Sequence, residues 1–86
     1  MSSMFCEILS FAKPLYRGKA CSLTVKGLDG ELQILPGHID YVNVLPPGKI
    51  TVCLEDNSSQ TYHHDGGVVD VTKDKTSVLV VSTVAG

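Results

Sequence analysis

Cys21-Ser22-Leu23-Thr24-Val25-Lys26-Gly27-Leu28-Asp29-Gly30-Glu31-Leu32-Gln33-Ile34-Leu35-Pro36-Gly37-His38 is the stretch that decides the fold. From Cys21 to Lys26, Cys, Leu and Val alternate with Ser, Thr and Lys, the period of a strand with Cys21, Leu23 and Val25 on its covered face. Gly27-Leu28-Asp29-Gly30 supplies residues suited to a tight reversal, and Glu31 to Leu35 returns as the partner strand with Leu32 and Ile34 pointing inward. Pro36-Gly37 ends it, because proline donates no ladder hydrogen bond and glycine tolerates a sharp change of direction. His38 is thereby delivered on a loop.

The same grammar extends in both directions. Upstream, Phe5 to Ser10 reads as an opening strand, and Pro14-Leu15-Tyr16 leads through Arg17-Gly18 into the strand that starts at Cys21. Downstream, Pro46-Pro47-Gly48 is a hard break, after which Ile50, Val52 and Leu54 alternate with Thr51, Cys53 and Glu55. Asn57-Ser58-Ser59 lies in a polar turn, Gln60 to His64 returns, Gly66-Gly67 permits a bulge or tight bend, and Val68 to Thr72 follows. Lys73-Asp74-Lys75 closes the last hairpin. Ser77 to Ser82, with four consecutive apolar residues from Val78 to Val81, predicts a central strand covered on both faces and the best-buried element. The expected fold is all-β, a small sandwich or flattened barrel of about eight to ten short strands.

Bulk properties narrow the function. Eighty-six residues sustain a single core, so residues 1–86 are expected to form one domain. The 43% apolar and 19% charged composition is that of a folding chain, not of a disordered segment. With 7 basic and 9 acidic residues, net −2, there is no electrostatic footprint for nucleic acid. The start of the chain lacks a signal-like pattern and no apolar run approaches a membrane helix, which predicts a cytosolic chain. Cys6, Cys21 and Cys53 are odd in number and form no CxxC, an argument against a disulfide framework or a structural zinc site; all three are expected to be reduced.

Catalytic chemistry finds little support. There is no GxxxxGK[ST] phosphate loop. Cys53 with His64 would be a nucleophile and base by residue type, but Cys53 falls on the face opposite Ile50, Val52 and Leu54, and no third orienting residue is evident. A metal or ligand reading through His38, His63 and His64 meets a similar objection, because adjacent strand residues point to opposite faces and His63 and His64 cannot easily share one ion. Surface or edge-strand positions are the expected fate of these two histidines. No catalytic, cofactor or metal residues are therefore assigned.

An ordered series of short motifs points elsewhere: Phe5-x-Glu7-Ile8, Leu15-Tyr16-Arg17-Gly18, Val25-x-Gly27, Asp29-Gly30-Glu31, Leu35-Pro36-Gly37-His38, Leu45-x-Pro47-Gly48, Gly66-Gly67-x-x-Asp70-Val71 and Thr76-x-Val78-x-Val80. The series resembles the N-terminal β-sandwich domain of the epsilon subunit of F-type ATP synthase. Departures occur at Gln33, where the family usually has glycine, at Ile39-Asp40 and at His64-Asp65; they touch loop detail, not the fold. The family typically continues into a C-terminal helical hairpin that inhibits ATP hydrolysis and in some members binds ATP, and a chain ending at Gly86 is expected to do neither.

The resemblance implies a non-catalytic rotor component of the central stalk, coupling proton transport to ATP synthesis without cofactors or nucleotide of its own. It implies a gamma-subunit interface at Ser10, His38, Ile39, Tyr41, Val42 and Asn43, and a c-ring interface at the hairpin tip of Leu28, Asp29, Gly30 and Glu31. It also implies a peripheral location at the cytoplasmic face of the bacterial inner membrane, or at the matrix or stromal equivalent. A subunit of this kind must keep some apolar surface exposed beside the Pro-Gly-His loop for docking; Ile39, Tyr41 and Val42 are the expected carriers.

Overall fold

A computed structural model describes residues 3–37, 40–73 and 75–81, and all regular structure among them is strand. Nine strands form in chain order: β1 (Met4–Ser10), β2 (Pro14–Ala20), β3 (Ser22–Gly27), β4 (Gly30–Ile34), β5 (Tyr41–Leu45), β6 (Gly48–Cys53), β7 (Ser59–His64), β8 (Gly67–Val71) and β9 (Lys75–Val80). They build a five-stranded sheet ordered β2-β1-β9-β8-β5 and a four-stranded sheet ordered β4-β3-β6-β7. Pairing is antiparallel throughout except between β1 and β9, which run parallel.

The alternation read from the sequence is what joins the two sheets. Leu23 and Val25 on β3, Ile34 on β4, and Ile50 and Val52 on β6 project inward from the smaller sheet. Met4, Cys6, Ile8, Ala20, Leu45, Val69, Val71, Val78 and Val80 meet them from the larger one. Leu32, Tyr41, Leu54 and Tyr62 pack half-buried against the rim of this cluster. Facing inner surfaces of this kind hold a sandwich together through burial of apolar area, at roughly 25 cal/mol per Å² removed from water.

Two expectations change. The apolar run after Ser77 predicts cover on both faces, and β9 is indeed central, between β1 and β8. Its outward residues, however, are open: Leu79 is 46% exposed and Val81, just past the strand, 52%. A two-layer sandwich has no third layer to lie over that face, so only Val78 and Val80 are buried. The second change is a strand the sequence did not announce. β5 pairs with β8 from Tyr41↔Val71 to Leu45↔Gly67 and forms the edge of the larger sheet.

The β3–β4 hairpin forms as expected. Gly27 pairs with Gly30, leaving Leu28 and Asp29 as the two-residue turn, and Gly30 adopts a φ of 122° that a residue with a Cβ rarely takes. On the outward face of β1, Glu7 is nearly buried and takes Arg17 Nε at 3.0 Å and Lys75 Nζ at 3.4 Å, which ties β2, β1 and β9 side by side.

Candidate functional site

Register across the larger sheet assembles a feature invisible in any one strand. Val44 of β5 lies opposite Val68 of β8, Val68 opposite Leu79 of β9, and Leu79 opposite Leu9 of β1. All four project away from the core, and Val44, Val68 and Leu79 are 59%, 40% and 46% exposed. The result is an apolar row crossing four strands, with a groove at its centre lined by Leu9, Val68, Asp70, Ser77 and Leu79. Val42, also exposed, extends it on β5. The next row begins at Val42 and is otherwise polar, Asp70–Ser77–Glu7–Arg17, so the apolar strip has a charged border over β8, β9, β1 and β2. A dry strip with a polar rim is the anatomy of a protein-docking surface rather than of a catalytic pocket.

The residues expected on one interface divide between two places. Val42 lies on the same outward face as the apolar row, one row over and opposite Asp70. Tyr41 and Asn43, one residue either side, face the other way: Tyr41 packs on the core rim, and Asn43 Nδ2 donates to its hydroxyl at 2.6 Å. Both line a cleft of about 150 Å³ with Gly27, Leu28, Asp29, Gly30, Glu31 and Leu32. Strand alternation thus sets Tyr41 and Asn43 beside the β3–β4 tip, where Leu28, Asp29, Gly30 and Glu31 are all exposed. Ser10 closes the β1–β2 turn, donating to Lys13 C=O at 2.8 Å and accepting from Lys13 N–H at 3.1 Å. His38 and Ile39 lie outside the described residues. Val44, Val68, Leu79 and Leu9 were not foreseen, because their grouping depends on which strands are neighbours.

His63 and His64 do not come together as a ligand pair. His63 is exposed and His64 buried, on opposite faces of β7. The edge-strand expectation holds for both residues, since β7 is an edge strand, but a surface position holds only for His63: the inward-facing imidazole of His64 is only 2% exposed. Cys53 and His64 are no nucleophile–base pair, since Cys53 pairs with Ser59 at one end of the β6–β7 ladder and His64 with Gly48 at the other.

His64 has one consequence for stability. Its Nδ1 accepts the Gly66 N–H at 3.1 Å, so the neutral ring carries its proton on Nε2, which is buried without a partner among the described residues. Burial pushes the imidazole below its ordinary value of 6.5, and the Gly66 backbone and the Asp65 carboxylate only partly offset this. A histidine depressed in the folded state binds fewer protons than in the unfolded chain, so its stability contribution is complete above 6.5 and is lost as pH falls below it. Urea midpoints of the wild-type chain are expected to drop between neutral pH and pH of about 5. In His64→Asn, whose side-chain oxygen can accept from Gly66, that drop is expected to shrink; equal drops in both proteins would remove His64 as its source.

A two-sheet sandwich with an uncovered apolar strip and an exposed hairpin tip has the surface anatomy of a domain made to dock on a partner. Residues 3–86 match the family described as ATP synthase, Delta/Epsilon chain, beta-sandwich domain, and the chain belongs to that family. It is 39% identical over 79 residues to the ATP synthase epsilon chain of Acinetobacter baumannii, and 37% identical over 79 residues to that of Chromohalobacter salexigens. Each alignment takes in 92% of this chain, which spans 57% and 56% of the two relatives' lengths. Among solved structures, a chain of the Euglena gracilis mitochondrial ATP synthase OSCP/F1/c-ring assembly superposes with a TM-score of 0.90, at 22% identity, over 98% of this chain and 54% of that one. A chain of the Tetrahymena thermophila central stalk/c-ring assembly gives 0.80 at 23% identity, over 96% of this chain and 66% of that one. These two likenesses bear on the fold.

Proposed function

We propose that the chain is the N-terminal β-sandwich of a central-stalk rotor subunit of an F-type ATP synthase, without catalytic residues of its own. The observation that carries the proposal is the outward apolar row Val44–Val68–Leu79–Leu9 on a domain of the epsilon family. Apolar surface left open on a well-packed domain costs nothing in a complex that covers it. In this reading the row, with Val42, Ser10, His38 and Ile39, docks on the gamma subunit. The tip of Leu28, Asp29, Gly30 and Glu31 rests on the polar loops of the c-ring, and Tyr41 and Asn43 brace that tip from behind. Torque then passes through a rigid sandwich held between two partners, coupling proton transport to ATP synthesis at the membrane surface.

Asp29 and Glu31 at the tip would make rim contacts, which tune encounter and specificity more than affinity. Titration of the purified chain against an isolated gamma subunit and, separately, against a detergent-solubilised c-ring carrying gamma tests the assignment. Stoichiometric binding to gamma and to the gamma–c-ring assembly is the expected result. Failure to bind gamma in both settings would refute the rotor role.

A further inference from the structure

Cys21 stands at the corner where the chain leaves one sheet for the other, since β2 ends at Ala20 and β3 begins at Ser22. Ala20 and Leu23 are both buried, so two residues intervene where strict alternation allows one, and the pleat must break between them. The break is visible in the backbone. Ser22 is the register partner of Cys53, yet the Cys21 N–H also donates to the Cys53 carbonyl, at 2.8 Å. Two consecutive residues therefore oppose one, and the Cys21 side chain comes to lie beside that of Cys53. Both thiols are half-exposed and donate to the same acceptor, the Leu54 carbonyl, at 3.3 Å from Cys21 and 3.8 Å from Cys53.

We propose that Cys21 and Cys53 are a redox-modification site, a thiol pair that a hydroperoxide converts to an intrachain disulfide bridging the sheet-to-sheet corner and the end of β6. The chemistry balances with hydrogen peroxide as oxidant. One sulfur, as thiolate, attacks the peroxide O–O bond and becomes a sulfenic acid, and the departing hydroxide takes a proton to leave as water. The second sulfur attacks the sulfenic sulfur, the S–S bond forms, and a second water departs. Two thiols are oxidised by two electrons and one peroxide is reduced to two waters.

The third cysteine supplies an internal contrast. Cys6 is fully buried among the core residues of β1, and burial, with Glu7 adding to it, pushes its thiol up to about 11, so it offers neither access nor thiolate. The Cys21 thiol is also raised, by desolvation first and then by Cys53 and Glu55, so closure is expected to quicken as pH rises. The sequence holds no hint of the pair, because the two residues are far apart in the chain and meet only through the β3–β6 register.

Treatment of the folded chain with hydrogen peroxide, then denaturation, alkylation and non-reducing tryptic digestion, tests the site. Cleavage at Lys19, Lys26, Lys49 and Lys73 puts Cys6, Cys21 and Cys53 on separate peptides. The expected product is a monomer with the Cys21 and Cys53 peptides joined and Cys6 alkylated, formed faster at higher pH. Cys21→Ser and Cys53→Ser are each expected to abolish the link, and Cys6→Ser to leave it intact. A link through Cys6, intermolecular dimers in place of the internal bridge, over-oxidation without linkage, or three alkylated cysteines would overturn the proposal.

Discussion

Gly67→Ala is expected to destabilise the domain by about 3 kcal/mol or more, enough to lower its thermal midpoint by roughly 15 °C. A Cβ on Gly67 would stand 2.2 Å from the Leu79 carbonyl oxygen and 3.0 Å from Val80 Cα. Both atoms belong to the backbone of β9, which is clamped between β1 and β8 and cannot rotate aside as a side chain could. The clash is relieved only by parting β8 from β9 at the Gly67↔Val80 pair, which also loosens the Leu45↔Gly67 pair with β5. Gly30→Ala is the informative control. Gly30 has a φ of 122°, and no heavy atom lies within 4 Å of the point a methyl group would occupy, so its substitution carries backbone strain of about 1–3 kcal/mol without a clash. Urea titrations of both variants separate close approach from conformational strain. A Gly67→Ala midpoint equal to wild type would show that the strands can part freely.

That glycine illustrates how far the sequence can be read. Gly66-Gly67 is legible as a bend, and alternation at Leu23, Val25, Ile50 and Val52 predicts their burial and the strands that carry them. The Gly27-to-Gly30 turn and the stop at Pro36-Gly37 follow from local chemistry alone. β5 escapes such a reading because its pattern runs backwards: Val42 and Val44, the most strand-like residues, face solvent, and a polar Asn43 takes an inward position. Its stability comes from pairing with β8, a contact across the chain that no local window contains. The same limit applies to the candidate site. A resemblance of motifs could name Val42 and the hairpin tip, but the apolar row is a product of the order β1-β9-β8-β5. Alternation, applied to Tyr41 and Asn43, separates them from Val42 only once β5 is known to be a strand.

Val44→Lys combined with Leu79→Lys is expected to weaken binding to the gamma subunit at least ~100-fold while leaving the fold intact. The two side chains flank Val68 in the row, so the double change puts an ammonium group on either side of the strip's centre. In the free domain both lysines remain in water, because Val44 and Leu79 are already 59% and 46% exposed; the urea midpoint is therefore expected to move little. In the complex both would have to be desolvated against an apolar partner without a counter-charge, a cost of several kcal/mol that falls on binding alone. Thr61→Lys, on the outward face of the opposite sheet, adds one such charge where no docking is proposed and is expected to leave affinity unchanged. If the double variant binds gamma as tightly as wild type at an unchanged urea midpoint, the five-stranded face is not the docking surface. If Thr61→Lys weakens binding instead, the domain engages gamma through its smaller sheet.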